Sequence, residues 1–187
     1  MRSEFPVGNS CNQLSLRQAD IFRWKSPQLI IHEPLGVIQK KEMSITQSDF
    51  NTLIKEEKVF SDLVNPIALS PAPMAWTREI KATKSRNIYL LDFYRGSFEL
   101  TKFTYNKRYR QSIILLRYDS GGRHTNPDGL SFDGPHVHIF REGFNDKFAF
   151  PISDLNIEDT HSIDEVLDKL LQFCNVSKRP VIEIPMF

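Results

Sequence analysis

The run Ile113-Ile114-Leu115-Leu116 is apolar at four successive positions. A strand turns alternate side chains to opposite faces, so such a run has to be covered on both sides. The segment from Ser112 to Tyr118 is therefore predicted to lie inside a sheet. Neighbours for it are easy to find. Arg86 to Arg95 carries Ile88, Tyr89, Leu90, Leu91, Phe93 and Tyr94, and Phe98 to Tyr105 follows the Gly96-Ser97 turn, which suits a hairpin. His136–Phe140 and Lys147–Phe150 are two more strand candidates, and Val181 to Ile184 reads as a late edge strand.

Helical signals flank these strands. Thr46 with Asp49 forms a variant capping box, and Ile45 and Phe50 occupy the positions of a hydrophobic staple. Phe50, Leu53, Ile54, Phe60, Leu63 and Val64 recur at helical spacing, with Lys55, Glu56, Glu57 and Lys58 between them. This predicts an amphipathic helix over 47–64 whose charged run is a solvated face. Pro66, Pro71 and Pro73 end it and lead through an extended loop to Trp76. Ser162 with Glu165 makes a second capping box, and Ile163, Val166, Leu167, Leu170, Leu171 and Cys174 form the stripe of a second helix. The order helix, strands, helix indicates an α+β fold, with a curved, mainly antiparallel sheet and both amphipathic helices packed on it. Residues 43–187 are expected to form one domain. Residues 1–42, broken by prolines at 6, 27 and 34, read as a weakly structured extension.

A formal net charge of +1 gives no global field toward nucleic acid or membrane, so any such attraction has to be local. Cys11 and Cys174 suit neither a metal nor a disulfide spacing and are expected as reduced thiols, with Cys174 buried on its helical stripe. No apolar run approaches the roughly 18 residues of a spanning helix, and the start lacks the layout of a signal peptide. A cytoplasmic protein without membrane partners is expected.

The chemistry concentrates between Arg117 and Pro151. This stretch holds His124, His136 and His138, together with Asp119, Asp128, Asp133, Asp146 and Glu142. Titratable and turn-forming residues packed this densely between two hydrophobic strands point to a site. His136 and His138 project to one face of a strand. With Glu142 they also match part of the spacing of cupin metal ligands, although Leu130 and Ala149 stand where that pattern has glycines. Asn126-Pro127-Asp128-Gly129 is a tight-turn signal that assigns Asn126, Asp128 and Gly129 to structure. His124, just before it, could meet His136 or His138 if the loop folds back.

A basic, aromatic segment precedes the loop. Between Arg95 and Arg123 lie Lys102, Lys107, Arg108, Arg110 and Arg117, with Tyr105 and other aromatic residues interleaved. Cations can neutralise phosphates while aromatic faces stack bases. Lys102, Tyr105, Lys107, Arg108, Arg110 and Arg123 are therefore candidate nucleic-acid contacts, although a solvated sheet face would look similar.

RYDSGGRHTNPDG, GPHVHIF and REGFNDKFAFP together resemble a family of small bacterial and prophage proteins with motifs close to H-x-N-P-D-G, P-H-x-H-I-Y and R-E-G-Y-x-D-K-W-A. The resemblance covers about residues 43–175, with Phe140, Phe144 and Phe148 where Tyr, Tyr and Trp are commoner. It implies a bacterial, mobile-element setting and marks His124, Asp128, His136, His138, Glu142, Asp146 and Lys147 as defining positions. It implies no mechanism.

The leading expectation is a metal-independent, cofactor-free endoribonuclease acting as a toxin or phage-defence effector. His124 and His138 would be the acid–base pair, with His136, Arg123 and Lys147 facing phosphate. RNA would be the substrate, and a cognate antitoxin or phage protein the partner. The alternatives are a non-enzymatic module that binds nucleic acid or protein, and a metal site on His136, His138 and Glu142.

Overall fold

Both capping boxes form as the sequence predicts. The computed structural model describes residues 44–69, 72–97, 101–158 and 161–184. In helix α1 (Gln47–Lys55) the Asp49 N–H donates to Thr46 Oγ1 at 3.1 Å, and the Thr46 N–H donates to Asp49 Oδ2 at 3.0 Å. Ile45 and Phe50, the staple pair, are both buried. In helix α2 (Ile163–Phe173) Glu165 accepts from Ser162 in the same way. Val166, Leu167, Leu170 and Leu171 form its buried stripe, and Cys174 is a buried free thiol just beyond it.

The first helix is shorter than its periodicity predicts. Glu56 turns to an extended conformation, and β1 (Lys58–Phe60) follows at once. Pairing on both sides overrides local propensity here. Strand β1 lies between β3 (Met74–Ala82), which is antiparallel to it, and β11 (Val176–Lys178), which is parallel. Phe60 thus enters the core from a strand, while Leu63 and Val64 are left exposed. Lys58, expected in solvent, is fully buried. Its Nζ donates to the carbonyls of Ile54 (3.0 Å), Glu56 (2.6 Å) and Cys174 (2.9 Å), so one cation serves the carbonyl ends of both helices.

Strand β3 takes only the last residues of the loop expected before Trp76 and runs on to Ala82. Its partner β4 (Ile88–Arg95) forms the expected hairpin with β5 (Phe103–Tyr109), although β5 starts and ends later than predicted. The apolar strand β6 (Ile113–Asp119) is interior, flanked by β5 and by β9 (His136–Ile139), and β10 (Ala149–Phe150) closes that side. Among the described residues the sheet has eight strands in the order β10-β9-β6-β5-β4-β3-β1-β11 and is mostly antiparallel. Two small pairs accompany it. Strand β2 (Ile67–Ala68) runs parallel to β12 (Ile182–Glu183), which therefore edges this pair and not the main sheet, and β7 (Arg123–Thr125) pairs with β8 (Ser131–Asp133). The extension expected over 1–42 and Cys11 lie outside the described residues.

The two faces of the sheet differ in chemistry. Leu91, Tyr105, Lys107 and Leu116 turn toward Leu170, Leu171 and Cys174 of the α2 end. The opposite face carries polar side chains that pair across strands. Arg108 makes a two-pronged ion pair with Asp92 (2.6 and 2.8 Å), and Asp92 also accepts from Thr77 Oγ1 at 2.8 Å. The same polar face continues at the far end of β6, with Arg117 and Asp119.

Candidate functional site

Strand periodicity and register assemble the centre of the site. Arg117 and Asp119 are two apart on β6, as are His136 and His138 on β9, so each pair shares a face. The register sets Arg117 opposite His138 and Asp119 opposite His136. Four polar side chains thus meet on the sheet face away from α2.

A covering hairpin brings the third histidine. Strands β7 and β8 are joined through Asn126-Pro127-Asp128-Gly129, where the Gly129 N–H returns to the Asn126 carbonyl at 2.9 Å. Asp128 Oδ1 caps Leu130 N at 3.0 Å, and Gly129 has a φ of +92°, a conformation that suits a residue without Cβ. Asn126 is also a tether. Its side chain donates to the Ala149 carbonyl at 3.0 Å and accepts from the Ala149 N–H at 2.7 Å, imitating a β-bridge to β10. The hairpin is thereby held beside the sheet. The His124 ring lies 4.5 Å from that of His138 and 5.7 Å from that of His136, centroid to centroid, and the latter two are 4.9 Å apart.

Protons in the cluster can be placed from the acceptors. His136 Nδ1 is 2.8 Å from the Gly134 carbonyl, and His138 Nδ1 is 2.8 Å from the Asp146 carbonyl. A carbonyl only accepts, so both Nδ1 atoms carry hydrogen, and the neutral rings have their lone pairs on Nε2. By the same logic His124 donates from Nε2 to the Lys147 carbonyl at 2.9 Å, which leaves Nδ1 as its lone-pair nitrogen. Burial, only partly opposed by the Gly134 hydrogen bond, lowers the His136 pKa and favours its neutral form.

Arg117 ties the acids together. Its guanidinium reaches Asp119 Oδ2 at 3.0 Å, Asp146 Oδ2 at 2.6 Å and His138 Nε2 at 2.9 Å. Burial alone would raise the Asp119 carboxyl. The Thr104 hydroxyl that donates to it and the charge of Arg117, joined by His138 whenever that ring is protonated, outweigh that and hold it at about 2. One guanidinium against two carboxylates leaves the centre negative when the imidazoles are neutral.

The predicted residues fall into three groups. His124, His136 and His138 converge, and only His124 keeps partial exposure; His136 and His138 are buried. The Lys147 side chain is exposed, while its carbonyl anchors His124. Arg123, at the start of β7, and Lys102 are also exposed, and Lys102 lies along the Gly121 backbone near that hairpin.

The second group is corrected by burial. Tyr105 and Lys107 point into the core and present nothing to a nucleic acid, and Arg108 is committed to Asp92. Arg110 is exposed but lies in the β5–β6 turn, roughly 20 Å along β6 from the histidines at about 3.3 Å per residue. A single basic surface through these positions does not form.

Glu142 is the third case. Its carboxylate accepts from Gln47 N at 2.9 Å, and its own N–H donates to Gln47 Oε1 at 3.1 Å, so it docks on the start of α1. Asp119 is the carboxylate that stands with the histidines. Sequence reasoning missed Asp119 and Arg117 as members of the site. The available signal was their two-residue spacing at the polar end of an otherwise apolar strand.

An α+β protein with a histidine, aspartate and arginine cluster under a tethered hairpin is thus defined. The chain belongs to the family of unknown function DUF6978, whose model matches residues 45–176 and so spans the whole cluster and both helices. No curated protein and no solved structure matches it. Among the described residues, no helix is long and apolar enough to cross a membrane.

Proposed function

We propose that this chain cleaves RNA at the histidine cluster, as a nuclease effector of the kind that mobile elements use as toxins or in phage defence. The observation that supports it is the placement of His124. It is the partly exposed imidazole of the cluster, its Nε2–H is fixed on the Lys147 carbonyl, and its Nδ1 lone pair is open to a proton. His124 takes the proton of a 2′-hydroxyl as that oxygen attacks the adjacent phosphorus. The bond to the 5′-oxygen breaks, and the imidazolium returns the proton to that leaving oxygen. The products are a 2′,3′-cyclic phosphate and a 5′-hydroxyl. The exposed Arg123, Lys147 and Lys102 are the cations suited to the phosphates on either side. His138 has both nitrogens engaged and acts by positioning. A bacterial, mobile-element setting and a cognate antitoxin or phage partner belong to the same proposal.

The test is incubation of purified protein with RNA and with a matched substrate lacking the 2′-hydroxyl. Cleavage of the first alone, with cyclic-phosphate ends and loss in His124→Ala, supports the reading. Burial favours one competing reading. His136 and His138 are so enclosed that the cluster could simply hold the hairpin of a non-catalytic RNA- or protein-binding module. Retention of the biological effect in a folded His124→Ala protein would establish that alternative.

A further inference from the structure

The centre of the cluster holds an electrostatic conflict. His136 Nε2 and His138 Nε2, both lone-pair nitrogens, face the same carboxylate oxygen, Asp119 Oδ2, at 3.7 and 3.4 Å. The three donor atoms all lie within 4.8 Å of one another. A proton on His138 Nε2 would relieve part of this, but it would point at the Arg117 Nη2 only 2.9 Å away, which is itself a donor. Three electron-rich atoms converging in a buried place need a positive charge among them. Arg117 meets two of them from one side.

We infer that Asp119, His136 and His138 form a binding site for a single divalent transition-metal ion. Three features favour this. First, donors about 2.1 Å from a common ion at tetrahedral or octahedral angles stand roughly 3.0–3.4 Å apart, so the two nitrogen-to-carboxylate spacings of 3.7 and 3.4 Å need little tightening, and the two nitrogens already lie within 4.8 Å of each other. Second, each histidine hands its Nδ1 proton to a main-chain carbonyl, Gly134 or Asp146, which fixes the ring with Nε2 aimed inward. Ligating histidines are oriented by such outer contacts. Third, Asp119 Oδ1 accepts from Thr104 Oγ1 at 2.8 Å, so the carboxylate is held with Oδ2 toward the rings.

The donor set selects the class of ion. Two imidazole nitrogens and one carboxylate oxygen suit zinc or ferrous iron better than magnesium or calcium, which prefer oxygen. Three protein ligands would leave positions for water or a further group. Arg117 would release His138 Nε2 and stay clamped between Asp119 and Asp146. The site differs from the His136, His138 and Glu142 set suggested by spacing, because Glu142 is engaged by α1.

The inference goes beyond RNA cleavage and does not depend on it. The full chain, stripped with chelator and dialysed, would be titrated with zinc and with cobalt(II). The expected result is one equivalent of saturable binding, visible absorption bands from bound cobalt, and a rise in melting temperature. Asp119→Asn, nearly isosteric, should weaken affinity at least tenfold, as should His136→Asn. Glu142→Gln should bind like the wild type. Failure of all tested divalent ions to bind stoichiometrically would overturn the inference. So would binding left unchanged in both folded Asp119→Asn and His136→Asn proteins. Should His136→Asn fail to fold, Asp119→Asn decides alone. Metal binding without RNA cleavage would retain this site and remove only the nuclease reading.

Discussion

Asn126 and Ala149 exchange two hydrogen bonds, of 3.0 and 2.7 Å, between one side chain and one backbone unit. That pair holds the β7–β8 hairpin beside the sheet and so sets where His124 lies. Asn126→Ala would leave a buried N–H and a buried carbonyl without partners. It should cost about 3 kcal/mol, read as a lower urea midpoint with an unchanged slope. The His124 ring should also lose its fixed contact with His138, detectable as a change in its imidazole NMR signals.

His124 and His138 should respond differently to replacement. His124→Ala removes a partly exposed ring, so the melting temperature should stay within a few degrees, while RNA cleavage falls by about 10²–10⁴. His138 is fully buried and serves Arg117 and the Asp146 carbonyl. His138→Ala should lose on the order of 2–4 kcal/mol of stability in denaturant titration. Equal stability losses in the two variants would show that both rings merely pack.

Much of the fold was legible in the sequence. Both capping boxes carry two signals each, a side-chain cap and an apolar stripe, and both helices start where predicted. The four-residue apolar run located the interior strand β6. Failures came where partners distant in sequence decide the outcome. Lys58-Val59-Phe60 has helical spacing, but β3 and β11 lie on both its sides and capture it as a strand. Strand β3 alternates Met74, Trp76, Arg78 and Ile80 against Ala75, Thr77, Glu79 and Lys81, a period that three nearby prolines obscured. At the site, His136 and His138 were readable because they belong to one strand. Asp119 joins them only through the β6–β9 register, which local pattern cannot supply. The inward turn of Lys107 depends likewise on which face α2 covers.

Acid should expose the role of Asp119. Its carboxyl titrates at about 2 in the folded chain, below the ordinary 3.8. The folded state therefore binds this proton less readily than the unfolded state. The resulting stability, on the order of 2 kcal/mol, is present above pH 4 and is lost as pH falls toward 2. Asp119→Asn should flatten that part of the stability profile, measured by denaturant unfolding at successive pH values.

The buried lysines should leave the opposite signature. Burial, helped by the charge of Lys107, lowers Lys58 from 10.5 to about 7. Lys107 is lowered too, again chiefly by burial; among the described residues its Nζ makes no hydrogen bond of good geometry and lies 4.7 Å from the centre of the Tyr89 ring. Above pH 7 the unfolded chain binds more protons at these groups, so their contribution to stability should rise from about pH 7 to 9. Beyond about pH 10 the buried hydroxyls of Tyr89 and Tyr105, whose pKa values are raised mainly by burial, oppose that gain. Lys107→Met should raise the melting temperature at pH 7 and reduce the slope, because it replaces a buried amine that makes no hydrogen bond of good geometry with an apolar group of similar length. A lower melting temperature would mean that the amine is better satisfied than its surroundings indicate.

The strand order of the main sheet has a bearing on how copies of this protein meet at high concentration. Its long members, nine-residue β3 and eight-residue β4, sit in the interior, while the margins are two-residue β10 and three-residue β11. Pro151 follows β10 directly and has no N–H to offer, and β11 ends on an exposed lysine, Lys178. Among the described residues, a second chain trying to extend the sheet finds two or three ladder positions on either side, ended by groups that discourage pairing. The molecule carries its own safeguard against edge-to-edge aggregation, and crowding should leave the sheet unextended.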